Sequence, residues 1–552
     1  MAAAKNLQNE VKTQFCTKEG CYKLLQLSDY SRPLRPSSGP PNNVPVRLSF
    51  VTVKDGTECE DKIAFNIGRD MYFSNFRGIK KAPDPCHPID RRPYKGPQPS
   101  CHDINLMTRR PDMLEILIGF TGGQIQLMDP MKHECIKCFN EEILFCLKSI
   151  VLLDQLQRLI DKGIVTCIRW IPGTDSMFLA SHSTGMIYVY NKEYQCVAEP
   201  VYTVLKRGKG FVIENCKNKT LSNPICKWIV GRGAINDMVF SPDCKHIAIA
   251  SEDGYLRVFD YERKELVGIM RSYFGGLLTA AWSPDGKYIV TGGEDDHVTV
   301  WSFLEQRVIV RGQGHRSWVN AVTFDPYTTN VGGGRIDDSD EEEIAKSGAR
   351  HRTSTIRDHS VDSPKQAVSY RFGSVGDDTL LLLWDLSDDV LRPQRIRTRS
   401  LRTSTFIHKH QQHWTYAKNS PSWQQNDSQP SSENKRTLSE SKLSHKSSSS
   451  EHKLSLKKHS FNSVSSKHQN SVSNYTPNGD EDEPALGTTV CPRFEDVPIL
   501  EPLVSKKISQ DRLCGLVFKE DCIITSTYDG YVHVWARPGS LVSKQDSSTV
   551  IQ

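Results

Sequence analysis

The stretch AWSPDGKYIVTGGEDDHVTVW, residues 281–301, decides how the chain is read. An apolar strand ends in Trp282, and Ser-Pro-Asp-Gly makes a turn. A second strand follows, an acidic turn reverses the chain, and a third strand closes on Trp301. Branched or aromatic residues alternating with polar ones mark antiparallel strands. A unit of this kind, repeated every 40–45 residues or so, is a blade of a WD-type β-propeller.

The unit recurs. Copies read at 46–77, 101–129, 165–190, 235–260, 281–301, 318–329 with 370–385, and 513–535. Phe259 and Trp301 hold equivalent places 42 residues apart, which is one period. The sixth copy is split by a polar insert. After Trp535 only a short tail remains, so the seventh blade lacks a strand. The run TQFCTKEGCYKLL, 13–25, can supply it, and pairing the two ends of the chain removes two exposed edges. The expected fold is all-β, a seven-bladed WD40 β-propeller with long disordered insertions.

This assigns 1–45 to an N-terminal arm, part of it closing the last blade, and 46–330 to blades one to five and the start of six. An acidic insertion takes 331–366, the rest of blade six 367–390, and a Ser/Lys/His-rich insertion 391–490. Blade seven takes 491–540 and a tail 541–552. Seven blades use roughly 300 of the 552 residues. The excess includes DDSDEEE at 337–343 and a run from 391 to 483 poor in branched apolar residues. Such a run cannot bury enough surface to offset the entropy of ordering, so it is expected to be disordered.

The formal net charge of +5 is small for this length. RPQRIRTRSLR at 392–402 is basic but has no aromatic platform beside it, so nucleic acid is not an expected partner. The N-terminal MAAAKNLQNE has no apolar core, so no signal peptide is expected, and the 16 cysteines are expected as free thiols. Cys135 and Cys138 form a lone CxxC near His133, with no second pair to complete a tetrahedral site. No metal and no cofactor are expected. The apolar run 143–157 carries Lys148 and Asp154 and is too short to span a membrane, so no membrane partner is expected. It reads as a peripheral addition between blades two and three.

His315, Ser374, Asp378 and Trp384 have the order of a structural tetrad that pins a blade's loops by hydrogen bonds. Asp253, Asp295 and Asp529 stand at the same offset, six residues before Phe259, Trp301 and Trp535, as Asp378 does before Trp384. That regularity makes these acids and His315 turn residues. No catalytic Ser-His-Asp order, Gly-rich phosphate loop or pair of catalytic carboxylates stands out, so the chain is not expected to be an enzyme.

The loops leading into the inner strands of blades five and six carry Tyr273-Phe274 and His315-Arg316-Ser317-Trp318. Phe274 and Trp318 lie 44 apart, about one period, so they should stand side by side on one rim. Two adjacent aromatics ringed by charge have the anatomy of a hot spot. The partner-binding candidates are Phe274, Trp318, Tyr273, Glu294, Asp296 and Arg316.

Several segments go beyond the general blade pattern: SYFGGLL (272–278), GHRSWV (314–319), FDPYTT (324–329), YRFGSVG (370–376) and CPRFEDVPILEPL (491–503). Through these the chain resembles the WD repeat-containing protein 20 family, with the dystrophia myotonica WD-repeat protein and fungal CreC. In that family Glu142 would lead almost directly into Arg158, so 143–157 looks like an insertion. The resemblance implies a regulatory subunit in the cytoplasm and nucleus. It would bind and activate ubiquitin-specific proteases of the 12 and 46 types, together with their second WD-repeat activator. The competing expectation is a substrate receptor for a cullin-type ubiquitin ligase. Its usual Trp-Asp-x-x-Arg ending is incomplete here: Trp384-Asp385-Leu386-Ser387-Asp388 lacks the Arg, and Phe259-Asp260-Tyr261-Glu262-Arg263 has Phe for Trp.

Overall fold

A computed structural model describes residues 10–25, 44–54, 56, 59–80, 87–140, 159–197, 200–217, 221–329, 369–391 and 486–539. They belong to one unit, 1–398 with 484–552; the other unit, 399–483, lies outside the described residues. So do 331–366, nearly all of 391–490, the run 143–157 and the tail 541–552. Among the described residues the helical pieces are single turns at Gly78–Lys80, Asp388–Leu391 and Phe494–Asp496.

Seven antiparallel sheets form the blades. Their inner strands are Leu48–Thr52, Pro99–Ile104, Val165–Trp170, Ile235–Phe240, Leu277–Trp282, Val319–Phe324 and Leu513–Phe518. Each pairs with the next strand in its sheet, which pairs with a third. The third strands of blades three to seven bury Tyr190, Phe259, Trp301, Trp384 and Trp535 completely. Apolar side chains from each blade meet those of its neighbours in seven separate seams, one for every junction, blade seven with blade one included. The inner strands of all seven blades line one central cavity of about 420 Å³. Seven seams around one cavity define a closed seven-bladed propeller.

The ends of the chain meet in blade seven. Gly20–Leu24 pairs antiparallel with Val532–Ala536, and Gln14–Thr17 folds back on Gly20–Leu24, so the N-terminus adds two strands. Phe15 and Tyr22 stack at 4.8 Å, and Phe15 packs against Trp535. Cys16 and Cys21 face each other across this hairpin and are joined by a disulfide, which corrects the expectation of free thiols throughout.

Two charged clasps reinforce the closure. Arg537 of blade seven grips Asp325 of blade six through two bonds of 2.8 Å, and Asp325 has no solvent exposure. Arg371 of blade six holds Asp385 at 2.7 and 2.8 Å and reaches Glu19 of the N-terminal hairpin at 2.9 Å. Arg537 and Asp325 are both buried, so removing either strands the other charge in a low dielectric, at a cost of about 3–5 kcal/mol.

Three features depart from the expected segments. The run 491–503 does not open blade seven. Ile499–Leu500 pairs parallel with the outer strand of blade five, Arg307–Gln313, and Val504–Lys507 forms the outer strand of blade six. Blade six thus takes its fourth strand from beyond the long insertion, because Leu380–Leu386 needs a partner on its open edge. Blade three has six strands, extended by a hairpin of Tyr202–Gly208 and Phe211–Cys216.

Burial works against ionisation of Glu19, but hydrogen bonds from Arg371 and Thr17 outweigh it and hold the carboxyl at about 2, below the usual 4.5. A depressed carboxyl stabilises the fold above its unfolded pKa and loses that contribution as the pH falls towards its folded value. The melting-temperature advantage of the wild type over Glu19→Gln should therefore be full at pH 7 and shrink between about pH 4.5 and pH 2. Thermal melts of both proteins across that range check this; a gap that does not change with pH would contradict it.

Candidate protein-docking rim

The inner strands Leu277–Trp282 and Val319–Phe324 lie side by side, joined where the Val322 N–H meets Thr279 Oγ1 at 3.4 Å. Their leading loops therefore open on the same face. Phe274 is 74% exposed and Trp318 47% exposed, and neither touches another aromatic ring among the described residues. Phe274 does not tuck beneath its own loop, and about half of Trp318 faces solvent.

The backbone under these side chains is tied down. Glu294 Oε2 accepts the Gly276 N–H at 3.0 Å, and the Glu294 N–H returns a bond to the Gly276 carbonyl. Glu252 does the same to Ala234 in blade four, so Glu294 is a loop clamp rather than a free charge. Asp295 is buried and accepts from the Tyr273 N–H; burial lifts its carboxyl above the usual range, with His297 opposing. Asp296 adopts φ +59°, the left-handed corner of the turn. Arg316 is exposed, and its backbone N–H donates to Asp378 at 2.9 Å.

Tyr273 has a second task. Its ring packs edge-on against Phe494 at 5.5 Å, and the Arg311 guanidinium lies over both rings, 5.0 Å from Tyr273 and 5.9 Å from Phe494. Arg311 is 1% exposed and donates to the Pro492 carbonyl. The Arg271 N–H meets the Val490 carbonyl, and His297 stacks edge-on against Phe494. Residues 490–500 thus strap the outer part of blade five beside the exposed pair. The sequence signal was present in CPRFEDVP, where an aromatic stands between prolines, but its ring partners Tyr273, His297 and Arg311 are about 180 to 220 residues away and no local pattern names them.

The tetrad of blade six is complete. His315 Nδ1 lies 2.9 Å from Asp378 Oδ2, His315 Nε2 lies 2.7 Å from Ser374 Oγ, and Trp384 Nε1 donates to Ser374 Oγ at 2.8 Å. The donors fit a neutral imidazole with its proton on Nδ1 and the Ser374 O–H donating to Nε2. Asp–His–Ser is also the alignment of a hydrolytic triad. Ser374, however, has no solvent exposure, and its oxygen is bonded on both sides, so no substrate reaches it. The chain of bonds is structural. The other acids serve their own turns. Asp253 accepts from Ser251 and Arg257. Asp529 is half-buried in the corresponding turn of blade seven, between the strands in which Trp535 Nε1 meets Thr525 at 3.3 Å.

The geometry is that of a WD-repeat propeller presenting a rim of loops. A family model for the WD domain, G-beta repeat, matches residues 224–260 and 265–302, from the Cys226–Val230 strand of blade three to the third strand of blade five. The chain is 43% identical to WD repeat-containing protein 20 of Mus musculus, over 97% of each protein. It is 33% identical to the WD repeat-containing protein 20 homolog of Caenorhabditis elegans, over 98% of this chain and 84% of that protein. The chain belongs to the WD repeat-containing protein 20 family.

Two substitutions separate structural from surface roles. Ser374→Ala leaves Trp384 Nε1 and His315 Nε2 without partners and should cost about 1–3 kcal/mol, read as a lower urea midpoint at unchanged slope. Phe494→Ala should speed proteolytic cleavage within 486–498 while leaving the main thermal transition nearly in place. Limited proteolysis with mass mapping reads this; unchanged cleavage would show that the ring contacts do not hold the strap.

Proposed function

We propose that this chain is a non-catalytic regulatory subunit that captures a ubiquitin-specific protease of the 12/46 type on the rim of blades five and six and raises its activity. The single observation behind this reading is that Phe274 and Trp318 are both exposed, on clamped loops that lead into neighbouring inner strands, without an aromatic partner of their own among the described residues. Large rings fixed before binding lose little entropy on docking and become the anchors of an interface. Arg316 and the half-buried Asp296 supply charge beside them. The family resemblance supplies the identity of the partner, its second WD-repeat activator and the setting in cytoplasm and nucleus. Ser374, sealed in the tetrad, offers no nucleophile, so the chemistry belongs to the partner. Binding to a rigid rim raises activity by favouring the protease's active conformer, a shift of population that needs no group from this chain.

The test is capture of the purified protease, followed by hydrolysis of a ubiquitin C-terminal amide with and without this chain. Wild type should bind and raise turnover. Phe274→Ala and Trp318→Ala should each weaken binding by ~30-fold or more, the equivalent of a hot-spot loss of about 2 kcal/mol. Their thermal melts should match the wild type. Full binding by both variants, or loss of binding only together with loss of folding, would overturn the proposal.

A further inference from the structure

Blade two carries a pair of thiols that the propeller does not use. Its outer strand, Glu134–Phe139, pairs with Ile125–Asp129 through a β-bulge between Cys135 and Lys137. In a regular strand, residues three apart point to opposite faces. The bulge inserts one residue and turns Cys135 and Cys138 to the same face. There the two thiols are hydrogen-bonded to each other.

The neighbours of Cys135 are arranged as donors. Gln126 Nε2 donates to its sulfur at 2.9 Å. The other end of that amide, Oε1, accepts the Tyr94 hydroxyl at 2.7 Å, which fixes the nitrogen towards the thiol. Arg92 stands nearby, itself paired with Asp90, which also meets His133 Nδ1 at 3.1 Å. The bond from Cys138, against the effect of burial and helped by Gln126 and Arg92, brings the Cys135 thiol from 9.0 to about 6. Cys135 is exposed and Cys138 partly so. An accessible thiolate beside a second thiol is the arrangement of a redox-active cysteine with its resolving partner.

We propose that Cys135 and Cys138 form a reversible dithiol–disulfide site oxidised by hydroperoxides, with Cys135 attacking and Cys138 resolving. The Cys135 thiolate attacks a peroxide oxygen; the S–O bond forms as the O–O bond breaks, and the departing hydroxide takes a proton and leaves as water. Cys135 is then a sulfenic acid. The Cys138 sulfur attacks the Cys135 sulfur, the S–S bond forms as the S–O bond breaks, and the leaving hydroxide carries off the Cys138 proton as a second water. One hydrogen peroxide thus takes two electrons from two thiols and gives a disulfide and two waters. Glutathione restores the dithiol by exchange.

The test treats the full-length chain with hydrogen peroxide, quenches it by alkylation and maps the peptides by mass. A Cys135–Cys138 disulfide should form, distinct from Cys16–Cys21, and glutathione should reverse it. Cys244, also exposed, is the internal control and should remain open to alkylation. Alkylation of Cys135 should be half-maximal near pH 6. Gln126→Leu should slow oxidation at neutral pH. Cys138→Ser should stop at a sulfenic acid that dimedone captures. Oxidation of Cys244 as fast as Cys135, or a wild-type Cys135 that never pairs with Cys138, would overturn the proposal.

Discussion

Closure of the ring is the constraint on which the structure depends. A blade has two apolar faces and cannot shelter either alone, so each needs a neighbour on both sides. Six of the seven seams join blades adjacent in sequence. The seventh needs the two ends of the chain to come together, and Gly20–Leu24 on Val532–Ala536 locks them. Closure also removes the sheet edge that Val532–Ala536 would otherwise expose. The clasps Arg537–Asp325 and Arg371–Glu19 tie this closing blade and its N-terminal hairpin to blade six.

The same rigidity shapes the rim. Loops over a closed ring have fixed spacing, so Phe274 and Trp318 stand at a distance set by the packing of Leu277–Trp282 against Val319–Phe324. Polar groups beneath them are turned inward: Glu294 to Gly276, Asp295 to Tyr273, Asp378 to His315 and the Arg316 backbone. What faces solvent is the aromatic pair and a few charges. Glu294, Asp295 and Asp378 thus hold the loop backbone in place.

Much of this was legible in the sequence because it is local and periodic. The strand–turn–strand grammar around Trp301 marks blades, and the Asp placed six residues before Phe259, Trp301, Trp384 and Trp535 marks the turns of blades four to seven. The tetrad was legible from the order of His315, Ser374, Asp378 and Trp384. What escaped was non-local. Ile499–Leu500 contributes two residues to blade five, too few for any pattern, and its register is set by Arg311 and Gly312 far upstream. Phe494 gains meaning only through Tyr273, His297 and Arg311. The hairpin 202–216 could have been inferred, since Tyr190 and Phe259 stand 69 residues apart where 42 suffice between Phe259 and Trp301. Cys16 and Cys21 read as ordinary strand residues until the hairpin register sets them opposite each other.

If closure governs the whole ring, its loss must be felt far from the junction. Hydrogen exchange on a chain lacking residues 1–25 tests this most directly. The account predicts that protection falls around the ring, in Leu277–Trp282 and Val319–Phe324 as well as in Leu513–Phe518 and Val532–Ala536. Loss confined to blade seven, with blades two to five as protected as in the intact chain, would contradict it.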